Sequence, residues 1–169
     1  MIFASLTGDI LLDALVGALF AMISYSSLAA VLLTATLAGA SVISLPVAIG
    51  LVIGANIGSG ILAFLSTSMQ NAAGRQVALG SLLYKLIGLL LIIPVLDPLV
   101  HWIDSLDFSP QEMVIGFHLL YNTARCLILL PTVGPMARFC AWILPERPQT
   151  NGMAKPRHLD PTALVTPSL

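Results

Sequence analysis

The chain has 169 residues, of which 57% are hydrophobic and 9% are charged, with a mean hydropathy of +0.97 and a formal net charge of −1. An ordinary soluble domain carries about 25% charged residues, so this composition indicates an integral membrane protein. A charge near zero offers no basic surface for nucleic acid, and no nucleic-acid partner is expected. Residues 14–74 contain no Asp, Glu, Lys, Arg or His. As one straight helix they would extend about 90 Å, against a hydrocarbon core of ~30 Å, so the chain must fold back within the membrane.

The first two apolar segments, residues 10–23 and 28–38, are each shorter than the roughly twenty residues that a membrane span needs. They predict a re-entrant helical hairpin whose tip is the Ser-Tyr-Ser-Ser sequence at 24–27. One full span with a serine-rich middle is the alternative, because serine hydroxyls bond back to the preceding helical turn. Asp9 and Asp13 share a helical face at the outer mouth, where exposed charge is favoured over ion coordination.

Ser26 and Ser27 fall where the second half of this hairpin begins. A helix N-terminus presents N–H groups without internal partners and a partial positive charge, which together favour an anion. Secondary transporters hold anionic substrates at the N-termini of broken helices in this way. Two small serines also permit close helix packing, so a binding role and a packing role both stay open.

A third apolar segment covers residues 45–69, with Ser44 as its predicted N-cap and Pro46 in its first turn. It is interrupted by Gly-Ala-Asn-Ile-Gly-Ser-Gly at 54–60, where each glycine weakens a helix by about 1 kcal/mol relative to alanine. Non-helical backbone is expected there, with carbonyl oxygens for a cation and the amide of Asn56 beside them. Such backbone at membrane depth must be buried in protein or line a wet cavity. A kinked helix that serves packing is the alternative.

The second half of the chain predicts two further spans, residues 77–96 and 111–131, separated by a polar, acidic loop at 97–110. A short apolar segment at 136–144 is expected to lie along the membrane interface. Residues 145–169 have the composition of a linker.

Four polar side chains fall inside these two spans. Lys85 lies in the first, and each buried charge costs about 2.5–3.5 kcal/mol on insertion scales. His118, Asn122 and Arg125 in the second are spaced to share one helical face. A structural role is favoured for Arg125, because a side chain near the end of a span can extend to the inner surface. For Lys85, anion binding and structural support stay open.

The charged residues outside the spans predict the orientation of the chain. Basic residues concentrate in loops on the cytoplasmic side. Arg75 and the tail that contains Arg147, Lys155 and Arg157 are therefore expected inside, and the acidic 97–110 segment outside.

The paired motifs Tyr-Ser-Ser at 25–27 and Gly-Ala-Asn-Ile-Gly at 54–58 resemble those of the sodium-dependent phosphate cotransporters, the type II-like Na⁺/phosphate carriers. That family carries a Gln-Ser-Ser hairpin motif and a Gly-Ala-Asn-Ile-Gly motif in each of two inverted repeats. The similarity extends through residues 82–88 and 117–122. It is strongest to the bacterial branch that has a C-terminal PhoU-like helical domain, and this chain resembles the second repeat only.

The resemblance implies an all-α integral membrane protein with a re-entrant helical hairpin plus about three transmembrane helices, one half of an inverted-repeat transporter. Residues 1–145 would be the membrane repeat, and 146–169 a cytoplasmic linker that is truncated before a PhoU-like domain. The expected location is the cell inner membrane, multi-pass, with a cytoplasmic C-terminus. The expected partners are membrane lipids and a second inverted repeat, supplied by a separate chain or by self-association.

The implied activity is sodium-dependent phosphate transport by alternating access, with the direction, import or export, undetermined. Inorganic phosphate and Na⁺ would be the transported species, and no cofactor is expected. The alternative is a truncated or split half-transporter without activity of its own. An enzyme that uses His118 and Arg125 lacks a convincing acid/base or nucleophile pair, so no enzymatic activity is expected. A channel would conduct without saturation or sodium coupling.

The resemblance also implies which residues form the site. Phosphate contact is assigned to Ser26, Ser27, Asn56 and Gly58. Coordination of sodium or substrate is assigned to Tyr25, Gly54 and Ser59, and intramembrane polar support to Lys85, His118, Asn122 and Arg125. Tyr25 stands where the family usually has Gln, and Lys85 where it often has Asn. Leu28 and Ala30 replace further hydroxyl residues, so phosphate contact is a better expectation for this half than a sodium site.

Overall fold

The computed structural model describes residues 9–146, so the predicted linker lies outside the described residues except for Glu146. Every regular element in this part of the chain is helical. The helices are α1 (Ile10–Ile23), α2 (Ser27–Gly39), α3 (Leu45–Ser66), α4 (Ala72–Ile92), α5 (Leu96–Asp104), α6 (Pro110–Leu129) and α7 (Val133–Ile143). Three stretches are long and apolar enough to cross a membrane: Leu45–Ser66, Ala72–Asp104 and Pro110–Ile143. The predicted all-α membrane fold is confirmed.

Helices α1 and α2 are separate and are joined by a tight turn, as the predicted hairpin requires. Asp9 caps α1 by accepting a hydrogen bond from the backbone N–H of Leu11 at 3.0 Å. Ser26 caps α2 by accepting one from the N–H of Ala29 at 3.1 Å. Between the two helices Tyr25 adopts a left-handed backbone conformation with φ of 53°.

Helix α1 lies directly against α3, backbone to backbone. A Cβ atom on Gly54 would overlap the carbonyl oxygen of Ala14, and one on Gly58 would overlap that of Ala18. Residue numbers therefore rise together along the two helices, so α1 and α3 run parallel. Small residues at the crossing allow the close van der Waals approach that holds helices together in lipid.

This crossing overturns the predicted break at 54–60. Helix α3 continues from Leu45 to Ser66 without interruption, and 12 of its residues are buried. The weak helix propensity of glycine is outweighed by two effects. Backbone in lipid must satisfy its hydrogen bonds internally. Gly54 and Gly58 also let α1 approach closely, and Gly60 does the same for the side chains of α4. The packing-helix alternative describes the segment, and contact of Gly54 or Gly58 with a ligand stays a prediction.

The predicted loop at 97–110 is also wrong over most of its length, because it contains α5 (Leu96–Asp104). The acidic residues of this segment led to the loop prediction. Its apolar side chains nevertheless recur at helical spacing: Leu96 and Ile103 are buried in the main core, and Val100 packs against it. Tertiary burial of one helical face thus outweighs the polar composition.

Contacts between helix ends show at which end of the molecule each charged segment lies. Gln76 Nε2 donates to the carbonyl oxygen of Leu144 at 2.8 Å, which brings the start of α4 and the end of α7 together. At the opposite end, a Cβ on Gly39 would lie 3.3 Å from the side chain of Gln111. Arg75 therefore lies at one end of the molecule and the start of α6 at the other. Which end faces the cytoplasm stays a prediction.

Helix α7 runs alongside the first half of α4. The hydroxyl groups of Tyr84 and Thr132 are 3.0 Å apart, and a Cβ on Gly80 would lie 3.4 Å from Cys140 Sγ. A short 3₁₀ turn, Leu130–Thr132, is all that separates α7 from α6. Placement of α7 along the membrane interface stays a prediction.

Candidate functional site

The hairpin tip presents the N-terminus of α2. Ser26 and Ser27 are half-buried, and the Ser26 side chain satisfies one first-turn donor, the N–H of Ala29. The remaining first-turn N–H groups have no partner within the helix, which is the usual state of a helix N-terminus. Tyr25 is 79% exposed, so its ring extends away from this chain.

The tip lies close to the middle of α3. Ala21 of α1, Ala30 of α2 and Ala55 of α3 form one buried cluster. Because α2 runs antiparallel to α3, Ser27 lies about one helical turn from this cluster on the same side as Ser59, which follows Ala55 by one turn. The fold thus brings the start of α2 to the level of the Gly-Ala-Asn-Ile-Gly-Ser-Gly segment.

Helix α4 supplies a cation at that segment. Lys85 Nζ donates to Ser59 Oγ at 2.9 Å, and Ser59 Oγ donates to the carbonyl oxygen of Asn56 at 2.8 Å. Asn56 is buried, and its amide nitrogen donates to the carbonyl oxygen of Val52 at 3.1 Å. In this arrangement Ser59 and Lys85 form a polar pair, while the Asn56 side chain bonds its own helix.

Helix α6 carries the predicted polar face as a hydrogen-bonded ladder. Asn122 Nδ2 donates to the carbonyl oxygen of His118 at 2.8 Å and lies 3.3 Å from that ring's Nδ1. Arg125 Nη2 donates to Asn122 Oδ1 at 2.8 Å, and the guanidinium lies 5.6 Å from the ring centre of Tyr121. Arg125 Nη1 is buried and has no hydrogen-bond partner within the described residues. The structure therefore brings these three predicted residues together and leaves one donor of Arg125 available.

The two cations approach each other across Gly88. A Cβ on Gly88 would lie 2.6 Å from the Cδ of Arg125. Lys85 is one turn earlier on the same helix, α4. Among residues 9–146 their side chains bond Ser59 and Asn122, and neither cation bonds a carboxylate. The region around Lys85 and Arg125 therefore carries positive charge, and a bound anion would accept hydrogen bonds from these two side chains.

The predicted site residues divide into those that gather here and those that do not. Ser59, Lys85 and Arg125 lie together beside the middle of α3, and Ser26 and Ser27 begin α2 at about the same level. Gly54 and Gly58 are buried against α1, Asn56 bonds its own helix, and Tyr25 extends outward.

Asp13 is the polar group that sequence reasoning misplaced. The sequence predicts an exposed charge at this position, but the Asp13 side chain is only 1% exposed. Neither carboxylate oxygen has a hydrogen-bond partner in the described part of the chain. It borders a cavity of about 290 Å³ between α1, the start of α3 and α5. The available signal was a stripe of small residues, Ala14, Gly17, Ala18 and Ala21, that starts beside Asp13 and marks the buried face of α1.

The sequence profile described as Na+/Pi-cotransporter matches residues 1–120. The chain belongs to this family. It is 60% identical over all 169 residues to the "Putative inorganic phosphate export protein YjbB" of Escherichia coli (strain K12). The protein of the same name in Salmonella typhimurium matches with the same identity.

In both comparisons the match covers 100% of this chain but 31% of the relative, so the chain spans about a third of the length of these curated proteins. A more distant relative is the "Uncharacterized protein YqeW" of Bacillus subtilis (strain 168). It is 25% identical over 133 residues, which are 79% of this chain and 43% of that protein. No solved structure gives a significant match. Family membership and the three apolar stretches identify a multi-pass membrane protein of a phosphate transporter family.

Proposed function

We propose that the chain provides one half of the substrate site of a sodium-dependent phosphate carrier in the cell inner membrane. The observation that carries the proposal is the Ser59–Lys85 pair with Arg125 beside it, at the level of the α2 N-terminus, with no carboxylate among residues 9–146 bonded to either cation. Membership of the Na+/Pi-cotransporter family and the printed names of the relatives support the same substrate.

Phosphate chemistry suits this region. Its oxygens accept several charge-assisted hydrogen bonds, which are about twice as strong as neutral ones. The start of α2 offers N–H groups and the hydroxyls of Ser26 and Ser27, while Lys85 offers a point charge through a side chain already held by Ser59. Arg125 offers its buried Nη1. Asn56 and Gly58 would join the site through a rearrangement of α3 against α1.

Sodium would offset the charge of the phosphate and couple its movement to the sodium gradient. Each elementary charge that crosses a 100 mV potential changes the free energy by about 2.3 kcal/mol, so the number of sodium ions per phosphate decides the direction of net flux. The printed names of the relatives say export, and outward transport is the direction proposed for this chain.

A second, inverted repeat would face the positive region and complete it during alternating access. The coverage of 31% of the relatives' length supports a half-site that requires another repeat. A half-transporter that is inactive alone is thus the second candidate function, and it keeps the same substrate.

The test is labelled-phosphate flux in proteoliposomes that contain this chain alone or together with a first repeat from a related carrier. Flux is measured with sodium gradients of both directions and with potassium replacing sodium. We expect saturable, sodium-stimulated flux in the combined sample. Flux from the chain alone would show that self-association completes the site.

Ser27→Ala should strongly reduce the flux, because it removes a donor at the start of α2. Ser68→Ala, in the exposed turn after α3, is the matched control and should leave flux unchanged. Failure of the combined sample to move phosphate under any gradient would contradict the proposed substrate. Equal flux with and without sodium would contradict the coupling alone.

A further inference from the structure

A buried carboxyl group lies in the contact between α1 and α3, away from the proposed phosphate site. Asp13 is 1% exposed, and neither of its carboxylate oxygens has a hydrogen-bond partner among residues 9–146. A Cβ on Gly50 would lie 2.6 Å from the Cβ of Asp13. The side chain is therefore enclosed between two helices of this chain and borders only the cavity on its α5 side.

Few titratable groups surround this carboxyl. Asp9 lies one turn earlier on α1, and Asp97 and His101 on α5 line the same cavity of about 290 Å³. Nδ1 of His101 lies 2.8 Å from the backbone carbonyl oxygen of Asp97. Helices α2 and α3 contain no Asp, Glu, Lys, Arg, His, Cys or Tyr. No basic group therefore pairs with Asp13 from the helices that enclose it.

A carboxylate without a partner is unstable in an apolar surrounding, and it becomes neutral by taking up a proton or is offset by a bound cation. Hard metal cations take about six oxygen ligands. The remaining lining of the cavity is apolar: Ile10, Pro46, Ile93, Leu96 and Val100. A proton needs only one carboxylate oxygen, so the surroundings of Asp13 fit a proton better than a metal ion.

We infer that Asp13 is a proton-binding site, protonated in the arrangement seen here and in exchange with the cavity that Asp97 and His101 line. Binding forms one O–H bond on an Asp13 oxygen, and release returns the carboxylate without any transfer of electrons. Helix α1 carries both this group and the hairpin tip. Movement of α1 along α3 would open the contact with Gly50 and link proton release to the site at Ser26. That link depends on the proposed function, whereas the proton site itself does not.

Infrared difference spectroscopy on the reconstituted full chain tests the site without any transport measurement. The chain has 8 Asp and Glu residues, and Asp13 is the carboxyl group enclosed without a hydrogen-bond partner among residues 9–146. We expect one carbonyl band of a protonated carboxylic acid, which shifts in heavy water and disappears only in alkaline buffer. The wild-type titration needs no variant, so a folding defect cannot obscure it.

Asp13→Asn replaces the acid by a neutral group of the same shape and should remove that band. Asp97→Asn is the matched control from the cavity rim and should keep it. Absence of the band in the wild type at neutral pH, or its persistence in Asp13→Asn, would overturn the inference. Loss of the band when sodium replaces choline at constant pH would also overturn it, since the group would then bind sodium. None of these outcomes depends on whether the chain moves phosphate.

Discussion

The two halves of the molecule pack in opposite ways. In the apolar part of the Leu45–Ser66 span, 67% of the residues are buried inside the chain. In the other two spans, Ala72–Asp104 and Pro110–Ile143, the corresponding share is 11%. The first half joins α1, α2 and α3 through small residues and backbone contacts. The second half has an open cavity of about 450 Å³ between α4, α6 and α7, and much of its apolar surface is exposed.

The first half, α1 to α3, is thus a preassembled unit, and the second half, with α4, α6 and α7, is an open one. Helix α3 already has neighbours on most sides, so lipid has little left to cover there. Helices α4 and α6 expose large apolar side chains that lipid or a second repeat must cover, among them Leu90, Leu119 and Leu127. The polar site lies where the two halves meet, through the hydrogen bond between Ser59 and Lys85.

The largest expected effect is a loss of stability when the close contact between α1 and α3 is disrupted at Gly54. An alanine Cβ there would overlap the carbonyl oxygen of Ala14, so α1 and α3 must separate along their length. We expect Gly54→Ala to lower the free energy of unfolding by about 3 kcal/mol, the upper part of the usual range for overpacking. Thermal unfolding of the purified chain in detergent measures this loss.

Gly116→Ala is the control in the open half, because within residues 9–146 only the backbone of its own helix comes within 4 Å of the Cβ that it adds. It should be neutral or should stabilise α6 by up to about 1 kcal/mol, the difference in helix propensity between glycine and alanine. Equal effects of the two substitutions would show that α1 and α3 are not packed as described.

The next largest effect concerns the contact between the halves. Lys85→Ala removes the charged donor at Ser59 and should weaken phosphate binding roughly ten- to hundredfold, as expected for a charge-assisted hydrogen bond. Lys85→Arg keeps the charge and should retain part of the affinity. Saturation of phosphate flux in proteoliposomes that contain both repeats gives the change.

Arg75→Ala, in the first turn of α4, serves as the control for the loss of a positive charge away from Ser59. An equal loss of affinity in Arg75→Ala and Lys85→Ala would point to a general effect of charge rather than to a site at Ser59.

A smaller effect is expected at the hairpin tip. Ser26→Ala removes the cap of α2 and should cost about 1 kcal/mol of stability, while Ser26→Gly should cost only a few tenths. Chemical denaturation of both variants in the same detergent compares them. A larger cost for glycine than for alanine would mean that the Ser26 side chain does not act as the cap shown here.

The smallest expected effect is on the rate of cysteine labelling, which reports which face of the open half is covered. Cys126 is exposed and Cys140 is buried, so a thiol reagent in detergent should label Cys126 alone. Added first repeat should slow this labelling if it packs against α6. Labelling of Cys140 at the same rate would contradict the contact between α4 and α7.

The sequence predicted the elements that follow hydrophobic length, and it placed the start of α3 after Ser44, although the Ser44 side chain makes no capping hydrogen bond there. The hairpin helices, the three spans and the shared face of His118, Asn122 and Arg125 were all visible from spacing. The continuity of α3 was not, because glycine has low helix propensity and its value here depends on a neighbouring helix that local reasoning does not include.

The burial of Asp13 was hidden for a related reason. Polarity predicts exposure on average, and only the partner helix, with Gly50 opposite, decides that this carboxyl is enclosed. The hydrogen bond between Lys85 and Ser59 joins residues 26 positions apart on different helices, so no local spacing rule predicts it.

The left-handed turn at Tyr25 has a consequence for how this site can diverge. With φ of 53° the backbone, rather than any contact of the ring, aims this side chain outward, and 79% of it is exposed. The side chain at this position can therefore be substituted while the backbone of the hairpin stays the same. Exchange of the family's usual glutamine for tyrosine would thus alter what one repeat offers to its counterpart, from an amide to an aromatic ring with a hydroxyl, without rebuilding the scaffold.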